Sequence, residues 1–157
     1  QFLVSQPDSE TQAYWDGVKN HELRVPKCSD CGLMRWPPQL TCTQCYSENS
    51  EWVKLSGRGT LYTYVIIHQS VLPQWREKTP FNVIQVALEE APHIQIMGNA
   101  VEMDDSDLKV GIPLEIVFDD VTPEVTIPRW RPRGSYPTTE MPRAIFTLGF
   151  PSGTLQL

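Results

Sequence analysis

From residue 59 onward, apolar residues recur at every second position. GTLYTYVIIHQS (59–70), FNVIQVALEE (81–90), HIQIMGNAVEM (93–103), PLEIVFDD (113–120) and EVTIPRW (124–130) are rich in β-branched and aromatic residues. Period two sends successive side chains to opposite faces, so each stretch predicts a strand with one buried face. EWVKLS, just upstream, predicts a shorter one. The intervening TP, EEAP, DDSDLKVG and DDVTP are turn formers, with a short helical turn expected near 104–109. Five main strands and a long first one predict a small closed barrel of the OB type. A β-sandwich is the alternative, but it asks for more strands.

The pattern differs at both ends. Ser9 followed by Gln12 resembles a capping box, and Ala13, Tyr14, Gly17 and Val18 recur at helical spacing. A helix over about 10–20 is expected, then an extended HELRVPKC. The last stretch holds Pro132, Pro137, Pro142 and Pro151, which oppose long ladders and helices. It nevertheless clusters Ile145, Phe146, Leu148 and Phe150. A solvated tail would not keep such a group, so it is expected to fold back or to be buried by another chain. The mainly β chain therefore divides into a helical segment (1–24), a cysteine-bearing segment (25–51), the barrel (52–133) and a Pro-rich tail (134–157).

Composition narrows the function. With 40% hydrophobic and 20% charged residues, the 157-residue chain reads as globular. A net charge of −6 argues against nucleic acid, because phosphate contacts need a concentrated positive surface. No apolar run approaches the roughly 20 residues of a membrane span. QFLVSQPDSE lacks a charged region followed by a long apolar stretch. A cytoplasmic protein with no membrane partner is expected.

All four cysteines lie in two Cys-x-x-Cys pairs, Cys28/Cys31 and Cys42/Cys45. Zinc takes four soft donors in a tetrahedron, and two such knuckles supply two thiolates each. Gly32, directly after Cys31, lets the first knuckle turn back and aim amides at sulfur. Two disulfides or a redox pair are the alternatives. Neither suits a chain without secretory or βαβ signals. Four cysteines close the coordination sphere, so one zinc with a structural role is expected.

Other candidates are sparse. His21, His68 and His93 have no sequence neighbours that suggest a triad, and no cysteine is left over as a nucleophile. No catalytic residue is therefore assigned. EMDDSD (102–107) reads as a metal loop or, in the plainer reading, as a solvated turn whose Asp residues cap a short helix. Arg129, Arg131 and Arg133 flank Trp130 and Pro132. A strand would put the three arginines on one side, where guanidinium forks suit the phosphates of CoA or carboxylates of a partner. The plain alternative is a solvated, charge-guarded edge.

The order of these features resembles a known family. YWDGVKNHEL, the CSDCG and CTQC knuckles, W-x-x-x-x-G-x-G-x-x-Y-T-Y (Trp52 to Tyr64), PFNVIQVALEE (80–90), VGIPLEIVF (110–118) and IPRWRPR carry the resemblance. The chain is similar to the acyl-CoA-associated proteins built from an N-terminal helix, a rubredoxin-like zinc ribbon and an OB fold. The resemblance covers residue 10 to about 133. It implies an accessory subunit in a hetero-oligomer with a thiolase-superfamily enzyme that carries the catalytic residues. The complex would convert an acyl-CoA thioester by thiolytic, acyl-transfer or retro-aldol chemistry. Arg129, Trp130, Arg131, Arg133, Phe146 and Phe150 are the expected contacts with partner or CoA. A stand-alone acyl-CoA-binding module is the first alternative. A single-stranded nucleic-acid binder, stacking bases on Tyr62, Tyr64 and Trp75, is the second.

Overall fold

A computed structural model describes residues 7–134. The expectations for the tail, including Phe146 and Phe150, lie outside the described residues. The N-terminal helix α1 spans Gln12–Lys19 and buries Tyr14, Gly17 and Val18. Its start is fixed by Asp8 rather than by the Ser9–Gln12 box: the Thr11 amide donates to Asp8 Oδ1 at 2.8 Å and the Gln12 amide to the Asp8 carbonyl at 2.9 Å. Asp8 is the stronger acceptor, since a carboxylate takes an amide hydrogen better than a hydroxyl does.

The extended stretch after α1 is strand β1, Arg24–Cys28. It pairs antiparallel with β2, Ser50–Lys54, in a register from Arg24–Lys54 to Cys28–Ser50. This hairpin opens at Cys28, where the cysteine-bearing loop emerges.

The remaining strands are β3 (Arg58–Ile67), β4 (Phe81–Leu88), β5 (Gln95–Gly98), β6 (Pro113–Asp120) and β7 (Thr126–Pro132). They form one antiparallel sheet in the order β5-β4-β3-β6-β7. A bulge between Leu61 and Thr63 bends β3, which curls the sheet. A parallel bridge between Ala100 and Trp130 draws its two ends together: the Val101 amide donates to the Trp130 carbonyl at 2.8 Å, and the Trp130 amide to the Asn99 carbonyl at 3.0 Å. The result is a curled five-stranded half-barrel of the OB type. β3 meets β6 only over Arg58–Thr60, so closure is partial rather than continuous.

The core fills the concave side with Leu61, Ile84, Val86, Ile96, Leu114 and Trp130, each 2% exposed or less. A fully buried side chain of this kind contributes roughly 1.5–3 kcal/mol. Trp130 lies against Gly98, where a Cβ would come within 2.9 Å of the indole ring. Only glycine permits that approach. The short helical turn expected near 104–109 is a single 3-10 turn, Asp105–Asp107, but Asp104 does not cap it. Asp105 instead accepts from the Asn82 side-chain amide at 2.7 Å, while Asn82 Oδ1 accepts from the Ala100 amide at 2.6 Å. Asn82 thereby pins residues 100–105 onto β4. An unforeseen short helix, α2 (Pro73–Arg76), starts with proline at its first position and sets Trp75 against Phe81, with ring centroids 5.5 Å apart. Among the described residues no helix is long and apolar enough to cross a membrane.

Candidate metal centre

The two knuckles are built alike. In the first, the Cys28 amide donates to the Leu33 carbonyl at 2.9 Å and the Gly32 amide to the Cys28 carbonyl at 2.9 Å. In the second, the Cys42 amide donates to Ser47 at 2.8 Å and the Tyr46 amide to Cys42 at 2.9 Å. The residue after each second cysteine is left-handed: Gly32 at φ 78° and Tyr46 at φ 62°. Glycine adopts that region freely and tyrosine does not. Sequence reading identified Gly32 but not Tyr46, because nothing in the residue type marks it. The knuckles are laced together by Asp30, whose carboxylate accepts from the Ser47 hydroxyl and, at 3.1 Å, from the Asn49 side-chain amide. Those donors hold the Asp30 carboxyl below the usual carboxylate range.

The four sulfurs lie within 4.8 Å of one another, with Cys28–Cys45 and Cys31–Cys42 each 3.6 Å apart. Sulfurs at the corners of a tetrahedral zinc site, about 2.3 Å from the metal, stand about 3.8 Å apart. All four cysteines are free of disulfides. The donor set therefore fits one zinc ion, and the four thiolates leave no position for substrate. Zinc here supplies a structural cross-link.

Backbone donors prepare the thiolates. The Cys45 and Gln44 amides pull Cys42 down to about 6, and the Cys31 amide leads the lowering of Cys28. Cys45 is the reverse case: against the Ser47 amide, the neighbouring Cys31 sulfur, burial and the other sulfurs push it up to about 12. Cys31 is also raised, the Leu33 amide being outweighed by burial and by the Cys42 and Cys28 sulfurs. Four sulfurs this close cannot all ionise without a cation among them, and Zn²⁺ removes the conflict.

β7 separates the residues that sequence reading had grouped. Its alternation turns Trp130 inward, where it is fully buried. Trp130 is therefore core and offers no contact surface, a correction that follows from period two. The arginines lie on the opposite side of the strand from Trp130, Arg129 buried and Arg131 and Arg133 half-buried, and each meets a carboxylate. Arg129 Nε donates to Asp119 at 2.9 Å, Arg131 Nε to Glu115 at 2.8 Å and Arg133 Nη1 to Glu89 at 3.1 Å. Arg58 reaches the same Glu89 at 2.8 Å. Glu115 leads the effects that raise Arg131 above its ordinary pKa.

The histidines stand apart. His21 Nε2 lies 3.0 Å from Asp120, with its ring stacked on Phe118 at 5.3 Å. His93 Nε2 lies 2.8 Å from the Met34 carbonyl and so ties the ribbon to the β4–β5 turn, while His68 is exposed after β3. One surface was not anticipated: residues 59–75, β4 and β5 carry no Asp, Glu, Lys or Arg. That absence of charge was visible in the sequence.

Residues 15–51 match the family profile described as "ChsH2, rubredoxin-like zinc ribbon domain", and residues 52–119 match "ChsH2, C-terminal OB-fold domain". Over 107 residues the chain is 34% identical to the "DUF35 domain-containing scaffold protein" of Methanocaldococcus jannaschii, covering 66% of this chain and 73% of that protein. The chain belongs to the DUF35 family. Two further relatives of this DUF35 chain carry more specific names. The "3-oxo-4,17-pregnadiene-20-carboxyl-CoA hydratase alpha subunit" of Mycobacterium tuberculosis is 32% identical over 78% of this chain, but this chain spans only 38% of its length. The "Benzoylsuccinyl-CoA thiolase subunit BbsA" of Thauera aromatica is 32% identical over 43% of this chain and 45% of its own. Among solved structures, a chain of the "Ltp2-ChsH2(DUF35) aldolase" superposes with a TM-score of 0.74 at 25% identity, covering 82% of this chain and 98% of that one.

Proposed function

We propose that this chain is a non-catalytic, zinc-containing subunit. It binds a thiolase-superfamily enzyme in a hetero-oligomer and supports that enzyme's conversion of an acyl-CoA thioester. The chemistry is thiolytic, acyl-transfer or retro-aldol, and the complex works in the cytoplasm. The observation that carries this reading is the superposition on nearly the whole of one chain of a two-component aldolase. A relative named as a thiolase subunit and one named as an acyl-CoA hydratase subunit point to the same substrate class.

The chain's own chemistry agrees. The thiols are matched to a metal, His21 is engaged by Asp120 and His93 by a carbonyl. Among the described residues, none of these groups pairs a nucleophile with a base. The ribbon and half-barrel would then act by position, presenting a folded surface to the enzyme that holds the reacting groups. The half-buried Arg131 and Arg133, together with Phe146 and Phe150 in the following segment, provide a second point of contact in this reading.

Co-expression with a thiolase-superfamily enzyme of the same organism, followed by size-exclusion chromatography, tests it. The expected result is one co-eluting species with more acyl-CoA turnover than the enzyme alone. A chain that elutes alone beside a fully active enzyme would sink the reading. Removal of 134–157 should weaken association; unchanged assembly would take Phe146 and Phe150 out of the contact. Micromolar binding of acyl-CoA by the isolated chain in calorimetry would point instead to a stand-alone binding module.

A further inference from the structure

The outer surface of the sheet is of two kinds. Over β6 and β7 it carries ion pairs, Arg131–Glu115 and the buried Arg129 with the part-exposed Asp119, with Arg133 and Arg58 sharing Glu89 nearby. Over β5, β4 and β3 from Gly59 onward it is uncharged. Register aligns Met97 with Gln85 and Thr63, and Val83 with Val65, on that outer face. Met97 is 60% exposed and Val65 50%. They border a shallow depression of about 280 Å³ that also reaches Tyr64. In the same uncharged stretch, Tyr62, Val71 and Leu72 are exposed as well.

The same region carries an open strand edge. β6 pairs with β3 only as far as Thr60, and the Leu61 amide and carbonyl are taken by Ile112 and Gly111. From Tyr62 to Ile67 no described strand lies on that side of β3. Proteins guard such edges with charge, proline or a short strand. This edge has none of these, since no charged residue occurs between Gly59 and Trp75 and the strand runs ten residues. An uncharged apolar face that continues into an unguarded edge is the signature of a surface covered by protein.

We infer that the β3 edge and the outer face of β3–β4–β5 form the docking surface for the catalytic partner enzyme. The partner lays an extended, uncharged segment along Tyr62–Ile67 and packs apolar side chains over Val65, Val83 and Met97. This rests on the proposed function and locates the interface within it. The partner is the favoured occupant because the matching chain, almost all of it aligned here, is one component of a two-component aldolase. A surface without charge also suits a long-lived complex, in which charged residues are depleted from the centre.

Val65→Lys and Met97→Lys test the inference in the full chain co-expressed with the same thiolase-superfamily enzyme. Both side chains face outward, and retained zinc and an unchanged melting temperature report intact folding. The expected result is at least tenfold weaker association for each, with amides 62–67 gaining hydrogen-exchange protection when the wild-type complex forms. If wild type assembles and both variants assemble equally well, the face is wrong and the proposed function stands. If wild type does not assemble, both fall. A concentration-dependent dimer of the isolated chain that Val65→Lys abolishes would give the face to a second copy, overturning the inference. Protection of 62–67 in the isolated chain that disappears on deleting 134–157 would overturn it in favour of the chain's own tail.

Discussion

Between Cys28 and Ser50 the chain buries few side chains, among them Arg35 and Cys42, and Cys42 belongs to the four-cysteine set that fits zinc. Between Phe81 and Pro132 it buries Ile84, Val86, Leu88, Ile94, Ile96, Leu108, Ile112, Leu114 and Trp130. The two regions are of one protein and in contact, yet different forces hold them. The sheet is stabilised by apolar area removed from water, a diffuse sum over many residues. The ribbon has too little such area, and a tetrahedral metal replaces it with a few strong bonds. Loss of one metal ligand should release the metal-held region outright, whereas loss of one core side chain should only lower the stability of the core-held region.

The largest expected effect follows from removing the metal. In isolated zinc-finger peptides, structural zinc contributes roughly 10–16 kcal/mol of apparent binding free energy, all of it available to folding. Cys42→Ser, or a strong chelator, should abolish amide protection over 28–47 while β4 and β7 keep theirs. If the sheet exchanges together with the ribbon, the two regions are one cooperative unit and the contrast fails.

Trp130→Ala comes next. It empties a fully buried site, for which about 3–5 kcal/mol is expected. Chemical denaturation should show that loss with one zinc still bound; loss of zinc in the folded variant would break the comparison from the other side. Gly98→Ala acts on the same contact by overpacking. Its Cβ would meet Trp130 at 2.9 Å, and about 1–3 kcal/mol should be lost.

The smallest effect is at the seam between α1 and the sheet. Asp120 accepts from Thr126 at 2.6 Å and lies 3.0 Å from His21, and these contacts hold its carboxyl below the ordinary range, Thr126 first. A depressed folded pKa means stability that is present above the ordinary carboxylate range and lost as pH falls through the folded value. Asp120→Asn should therefore flatten the acid limb of the stability profile below about pH 5 and leave neutral pH nearly unchanged. An unchanged acid limb would remove Asp120 from this linkage.

Much of the fold was legible because its signals are local. Alternation marked all five sheet strands, helical spacing marked α1, and spacing alone marked the four cysteines whose sulfurs come together. Boundaries moved where distant groups intervened: 93–103 shortened to Gln95–Gly98 because the following residues are pinned by Asn82 and Trp130. The candidate contacts on β7 were less legible. Alternation says that Trp130 and its flanking arginines face opposite ways, but not which way is inward. Nor does it show that each arginine already has a carboxylate from β6 or from Glu89.

The sequence by itself determined the metal set, the ribbon-then-barrel order and the family, since these rest on residue type and spacing along the chain. Only the tertiary structure decided that Trp130 is core, that Tyr46 takes the left-handed turn of the second knuckle, and that β3 leaves an edge open past Thr60. Those depend on which strands meet and where they part, and strand pairing joins residues that chain order keeps far apart.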